Sequence, residues 1–222
     1  MSAPKTLLEL SGADMRPPPL SGATLVIIDA QNEYLDGKLA LPGAKPALDA
    51  LVRLLAKARE AGAPVVHIQH KGRPGGLFDV EGRGGAIIEA VMPVSGEHLV
   101  QKPLPNAFAQ TGLDATLKKL GRTQIVIAGF MTHMCVSSTA RAALDLGYKA
   151  VVAADAAATR DLPDPMGGVI RADALHRAAL AELADRFAIV ARVDEIPGTR
   201  CTSLPTSADS PLSPFFMGRG LG

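Results

Sequence analysis

The hydrophobic and polar positions of this chain alternate between strand-like and helix-like segments. Short apolar runs, such as Leu25 to Ile28, are followed by segments in which apolar residues recur every three or four positions. Glycines end several of the helix-like segments, as Gly62 and Gly121 do. The pattern predicts strands at 24–29, 64–69, 98–101, 124–128, 149–154 and 188–192. It predicts helices at 44–61, 86–91, 113–120, 172–187 and from about 135 to 147.

Strands that alternate with helices predict a parallel sheet covered by helices on both faces. We therefore predict an α/β fold, a three-layer doubly wound (Rossmann-like) sheet of about six mostly parallel strands. The 222 residues suffice for one such domain with a full core. We predict an N-terminal arm at 1–20, the domain at 21–196 and a polar tail rich in serine and proline at 197–222.

Composition and charge exclude several classes of protein. The 23 Lys and Arg residues nearly balance the 22 Asp and Glu residues, and no basic stretch is dense enough to bind nucleic acid. The longest apolar runs have the length of a strand, so no membrane span is expected, and the N-terminus shows no secretory signal. The two cysteines do not form a disulfide framework. We expect a cytoplasmic protein whose partner is a small-molecule substrate.

Candidate catalytic residues follow the predicted strands at their carboxyl ends. In open parallel sheets these ends meet at one edge, where ligands bind. Asp29, His70, Lys102 and Cys135 all fall there. Taken singly, each has an ordinary explanation, as a turn cap, a solvated lysine or an inert thiol. Together they predict that an acid, a base and a thiol converge on one rim.

Cys135 is the predicted nucleophile. It lies near the start of a predicted helix, where unpaired N–H groups and the helix dipole favour a thiolate over a thiol. We therefore expect Cys135 to be the more reactive of the two thiols near neutral pH. Cys201 lies in the polar tail, and we expect it to have no role in catalysis.

Three segments of the chain resemble the isochorismatase-like cysteine hydrolase superfamily. They are VIIDAQNEY (26–34), QKPLPNAFAQTGLDATLKKLG (101–121) and AGFMTHMCVSSTARAALDLGY (128–148), and the similarity extends from about Thr24 to Val193. The resemblance implies the isochorismatase-like fold and a catalytic triad of Asp29, Lys102 and Cys135. It also implies a cis peptide bond between Phe130 and Met131, and an oxyanion hole formed by the N–H groups of Met131 and Cys135.

The implied reaction is hydrolysis of a C–N bond in a small amide or ureido compound through a Cys135 thioester. Lys102 would stabilise the thiolate, and Asp29 would carry the proton to the leaving amine. An alternative is an isochorismatase-type vinyl ether hydrolase, but acid catalysis of that reaction needs no thiol. A second alternative is a catalytically silent scaffold of the same fold, which would not need all three triad residues.

Further residues are predicted to shape the pocket. Gln31 would orient Asp29, and His133 would either touch the substrate or cap the helix. The glycine-rich stretch 72–85 lacks a phosphate-loop pattern and is predicted to be a flexible flap. The other predicted substrate-binding residues are His70, Phe78, Asn106 and Phe108.

No metal site or cofactor is predicted. His67 and His70 are three positions apart on a strand and so lie on opposite faces, which disfavours joint ligation. His67 is expected to be structural. The nicotinamidase branch of the family carries an Asp-x-His metal motif, which this sequence lacks. Because family members are commonly dimers or tetramers, we expect a homodimer or homotetramer.

Overall fold

Six parallel strands form the centre of the computed structural model, which describes residues 3–199. The strands of this sheet are β1 (Thr24–Ile28), β2 (Val65–His70), β3 (His98–Lys102), β4 (Gln124–Phe130), β5 (Lys149–Ala158) and β8 (Ala188–Ala191). Two short strands, β6 (Leu162–Pro163) and β7 (Val169–Ile170), lie between β5 and β8 in the chain. The order in the main sheet is β3-β2-β1-β4-β5-β8, and every pairing in it is parallel. β6 and β7 form a separate antiparallel pair. The predicted α/β fold is confirmed.

Helices connect the strands and cover both faces of the sheet. They are α1 (Leu7–Leu10), α2 (Glu33–Asp36), α3 (Ala44–Glu60), α4 (Leu113–Lys119), α5 (Ser137–Asp145) and α6 (Ala172–Arg186). A π-helical turn, Thr132–Val136, precedes α5 and contains Cys135. The helix predicted at 86–91 is wrong, because only a 3-10 turn at Glu89–Val91 forms there.

Alternate residues of β1 pack into opposite layers of the core. Leu25 and Ile27 lie in the apolar cluster that contains the buried face of α3. Val26 and Ile28 lie in the cluster formed with α4, α5 and α6. All five residues of β1 are buried, as expected for the central strand of a three-layer fold.

Gly129 lets β4 approach the end of β1. Its φ of +110° lies in a region that favours glycine, and a Cβ at this position would be 2.0 Å from the carbonyl oxygen of Ile28. The pairing of β4 with β5 is irregular between Ile127 and Gly129 and then continues to Phe130. β4 and β5 are therefore longer than predicted, by two and four residues. The added segments contain Gly129 and the alanines at 156–158, and small residues give little strand signal.

The predicted N-terminal arm contacts the rest of the protein at two places, although most of its residues are exposed. The Leu7 N–H donates to the Asp185 carboxylate on α6 at 2.9 Å. Leu20 is fully buried, and its N–H donates to the carbonyl of Pro197 at 2.8 Å. Cys201 and most of the predicted tail lie outside the described residues. Between residues 3 and 199, no helix is long and apolar enough to cross a membrane.

Candidate active site

Asp29, Lys102 and Cys135 form one buried cluster at the carboxyl edge of the sheet. The Nζ atom of Lys102 lies 2.7 Å from Oδ2 of Asp29 and 3.3 Å from Sγ of Cys135. The side chains of Asp29 and Lys102 are fully buried, and Cys135 is 4% exposed. The structure thus brings together the three side chains of the predicted triad.

Each of the three residues is positioned by a strand end or a turn. Asp29 follows β1 with a φ of 48°, a left-handed conformation that is uncommon outside glycine and is often found at functional sites. Lys102 is the last residue of β3, and its carbonyl accepts from the N–H of Lys71. Cys135 follows the cis peptide bond between Phe130 and Met131. The turn that carries it is held by N–H groups that donate to the Met131 carbonyl.

Several acceptors surround the buried ammonium group of Lys102. Besides the Asp29 carboxylate and the Cys135 sulfur, its Nζ donates to the carbonyl of Leu104 at 3.1 Å. A buried ammonium group is costly unless it is paired and hydrogen-bonded. The surroundings of Lys102 meet both conditions, so the cation is held beside the sulfur.

Burial controls the protonation of the acid and of the thiol. It raises the pKa of Asp29, against the opposing effect of the Lys102 charge. Burial, assisted by the negative charge of Asp29, also raises the pKa of the Cys135 thiol to about 12. Burial therefore opposes the stabilisation of a thiolate that we expected from the helix start and from Lys102. The turn that carries Cys135 is covered by protein, and the lost solvation outweighs the stabilisation by Lys102.

A small cavity of about 150 Å³ opens onto Cys135. Tyr34, His70 and Phe78 form an aromatic wall, and the ring centroids of Tyr34 and Phe78 are 5.0 Å apart. Arg160 is the one arginine in the lining. The remaining lining residues are Leu39, Pro105, Met131 and Met134. The cavity is smaller than a typical pocket for a drug-sized ligand, which favours a substrate with few atoms.

His70 connects the aromatic wall to the triad. Its ring packs edge-on against Phe78 with centroids 5.2 Å apart, and its Nδ1 lies 3.5 Å from Nζ of Lys102. Burial and the nearby Lys102 charge lower the pKa of His70 to about 4. The imidazole is therefore neutral at neutral pH.

Four of the predicted pocket residues lie outside the lining of this cavity. The amide of Gln31 donates to the carbonyls of His70 and Gly85, and so ties the end of β2 to the loop that follows it. Asn106 accepts from the N–H of Phe108, whose ring stacks on Tyr148. His133 is hydrogen-bonded to Thr159. Their proposed contacts with a substrate stay predictions.

Sequence reasoning missed five of the residues that line the cavity. Tyr34 could have been predicted, because it is the last residue of the VIIDAQNEY segment, which begins inside β1. Arg160 follows β5 by two positions, and it was overlooked because that strand was predicted to end at 154. The other three are Leu39, Pro105 and Met134.

The two histidines of β2 face opposite sides of the sheet, as their spacing predicted. His67 is buried, and its Nε2 lies 2.8 Å from a carboxylate oxygen of Glu97. His70 contacts Lys102 instead. Between residues 3 and 199, no group of three or more His, Cys, Asp or Glu side chains is placed to hold a metal ion.

Comparisons with known proteins agree with this architecture. The secreted isochorismatase effector Isc1 of Verticillium dahliae is 40% identical over 175 residues, which cover 77% of this chain and 90% of the relative. Streptothricin hydrolase of Streptomyces noursei is 39% identical over 78% of this chain and 63% of its own length. Ureidoacrylate amidohydrolase RutB of Methylobacterium radiotolerans is 30% identical, with 76% of each chain covered.

A solved structure and a family model complete the comparison. The crystal structure of an isochorismatase from Pseudomonas putida KT2440 superposes with a TM-score of 0.84 at 44% identity, covering 87% of this chain and all of that one. The model of the isochorismatase domain matches residues 23–195, which include Asp29, Lys102 and Cys135. This chain belongs to the isochorismatase family.

Proposed function

We propose that this protein hydrolyses a C–N bond in a small amide or ureido compound through a thioester on Cys135. The buried Asp29–Lys102–Cys135 cluster at the base of a small cavity is the observation that carries the proposal. It holds a nucleophile, a proton acceptor and a fixed cation within contact of one another. Two relatives, a streptothricin hydrolase and a ureidoacrylate amidohydrolase, are hydrolases by name, which supports hydrolysis of this kind.

The first step is attack of the sulfur on the carbonyl carbon. At rest the thiol is protonated, since its pKa is raised to about 12. Asp29 accepts this proton as the sulfur attacks, and its own raised pKa makes it a stronger base than an exposed carboxylate. The ammonium of Lys102, 3.3 Å from Sγ, stabilises the negative charge that develops on sulfur.

The second step is collapse of the tetrahedral intermediate. We propose that the backbone N–H groups of Met131 and Cys135 donate to its oxyanion, a contribution whose loss elsewhere costs about 100- to 1,000-fold in rate. The C–N bond breaks, and the leaving nitrogen takes the proton from Asp29. Water then attacks the thioester and gives a proton to Asp29. The acid leaves, and the proton returns to the sulfur.

A panel of small amides and ureas, assayed for release of ammonia or amine, tests the proposal. We expect turnover of at least one compound by the wild type, and its loss in Cys135→Ala. The matched control is Cys201→Ala, which removes the other cysteine and should retain activity. Equal activity of the wild type and Cys135→Ala would refute the thioester mechanism. No release from any compound would favour a catalytically silent protein.

A further inference from the structure

Two hydrogen bonds connect the start of the Cys135 turn to neighbouring elements. The Oγ1 atom of Thr132, the first residue of the π-helical turn, lies 2.9 Å from Nδ1 of His176 on α6. The next residue, His133, is hydrogen-bonded to the Thr159 hydroxyl, just beyond β5. Thr132 is fully buried, and α6 packs directly against the turn. The mechanism proposed above gives neither histidine a task.

The turn uses its backbone donors in a pattern that differs from an α-helix. The N–H groups of Met134 and Val136 both donate to the Met131 carbonyl, at 3.1 and 3.2 Å. In an α-helix the donor to that carbonyl would be the N–H group of Cys135, the fourth residue after Met131. Among residues 3–199, that N–H group is not one of the backbone donors to Met131. The π-helical form therefore keeps away from Met131 a donor that the proposed oxyanion hole requires.

The ring of His176 holds the Thr132 hydroxyl through a defined pair of contacts. The ring is neutral near pH 7, because burial lowers its pKa from the ordinary value of 6.5. It is also hydrogen-bonded to the backbone carbonyl of Ala154, which can only accept, so the one N–H group of the ring is used there. The remaining nitrogen, Nδ1, then accepts the proton of the Thr132 hydroxyl. Thr132 is thereby fixed against α6 and β5.

We infer that His176 is a positioning residue for the oxyanion hole. By holding the Thr132 hydroxyl, it keeps the turn in the π-helical form, in which the Cys135 N–H group does not donate to Met131. Without this contact the turn would relax toward an α-helix, and donation to Met131 would withdraw that N–H group from the oxyanion. The inference rests on the proposed function, because the oxyanion hole belongs to that mechanism. It adds a side chain of α6 to the groups on which acylation of the sulfur depends.

Two small reagents separate this role from a general effect on the fold. N-Acetylimidazole acylates a thiol through a tetrahedral oxyanion, whereas iodoacetamide alkylates it at a saturated carbon and forms no such oxyanion. Both reactions require the same deprotonation of Cys135. Their rates are followed by mass mapping of the peptide covering 123–141, which contains Cys135. Thr132→Val and His176→Gln should slow acetylation about 10- to 100-fold, because the donor is displaced, and should leave alkylation unchanged.

Conservative variants identify the contact that matters. Thr132→Ser keeps the hydroxyl that Thr132→Val removes. His176→Asn places an amide near the position of Nδ1, whereas His176→Gln places it near the position of Nε2. Thr132→Ser and His176→Asn should therefore be acetylated at close to the rate of the wild type. The control is His98→Gln, the same substitution at a half-buried histidine that begins β3, and it should change neither rate.

Amide turnover keeps this inference separate from the proposed function. A selective loss of acetylation, with kcat for an amide reduced and KM retained, supports both. The same loss of acetylation in a protein that hydrolyses no amide would support the role of His176 and count against the proposed function. Unchanged acetylation in Thr132→Val and His176→Gln, or a change of both rates by the same factor, would overturn the inference. Amide turnover by the wild type would in that case still support the thioester mechanism.

Discussion

The Nζ atom of Lys102 lies 2.7 Å from Oδ2 of Asp29, and neither side chain is exposed. Removing one partner of such a buried pair leaves the other charge uncompensated, which typically costs about 3–5 kcal/mol. The same lysine lies 3.3 Å from the Cys135 sulfur. Lys102 therefore connects the acid to the nucleophile, and its charge affects both.

Lys102→Met should sharply reduce the rate of thioester formation. Methionine keeps much of the apolar stem but removes the cation, so that both Asp29 and a developing thiolate lose their stabilising charge. Single-turnover measurements with an amide substrate would give the rate. Lys102→Arg should not restore it, because the guanidinium is larger and planar.

Lys71→Met, which removes a neighbouring exposed lysine, is the control. It should react like the wild type. If Lys102→Met also did so, the lysine would have no catalytic role.

The acid limb of the pH–rate profile should lie above the usual range for an aspartate. The mechanism needs ionised Asp29, and burial raises the pKa of this group from its ordinary value of 3.8. Activity is therefore present above the raised pKa and lost as the pH falls through it. The dependence of kcat/KM on pH measures the limb.

His70 could produce a competing limb, because its pKa is about 4 and its protonation would place a second cation beside Lys102. His70→Asn distinguishes the two groups. A limb that persists in this variant belongs to Asp29, whereas one that disappears would assign the titration to His70.

Gly129→Ala should destabilise the fold and impair the site together. The added Cβ would meet the Ile28 carbonyl at 2.0 Å, and the φ of +110° is unfavourable for alanine. Backbone strain of this kind costs about 1–3 kcal/mol, and the clash adds to it. Urea unfolding measures the loss.

The control is Gly22→Ala, where the structure leaves open space and φ is not positive. It should change stability far less. An unfolding free energy of Gly129→Ala equal to that of the wild type would show that β4 can shift away from β1.

Chelation should not abolish activity. In the proposed mechanism Asp29, Lys102 and Cys135 supply the nucleophile and the proton transfer, and the sequence lacks the Asp-x-His motif of the nicotinamidase branch. Ammonia release is measured before and after dialysis against EDTA, with metal content determined in parallel. Activity that is lost on chelation and regained with zinc or iron would contradict this account.

Much of the fold, and the proximity of the three predicted triad residues, was predictable because the strands can be recognised from local pattern. Asp29, Lys102 and Cys135 each follow or end a recognisable strand, and the carboxyl ends of parallel strands meet at one edge. The protonation state of Cys135 was not predictable in this way. It depends on burial by residues distant in sequence, such as Tyr34 and Pro105, which also line its cavity.

The position of Arg160 shows a second limit of sequence reasoning. Asp155 to Ala158 give no clear strand signal, yet β5 continues through them because β4 is extended beside it. The pairing carries Arg160 to the rim. A tertiary interaction of this kind leaves no periodic pattern in the sequence.

The central claim is that the reaction passes through a thioester on Cys135. Acid quenching during steady-state turnover, followed by tryptic mass mapping, tests it most directly. Cys135 is the one cysteine in the peptide covering 123–141. We predict that this peptide carries the acyl group of the substrate and loses it on treatment with hydroxylamine. Steady turnover with no acyl group on this peptide, together with full activity of Cys135→Ala, would contradict the account.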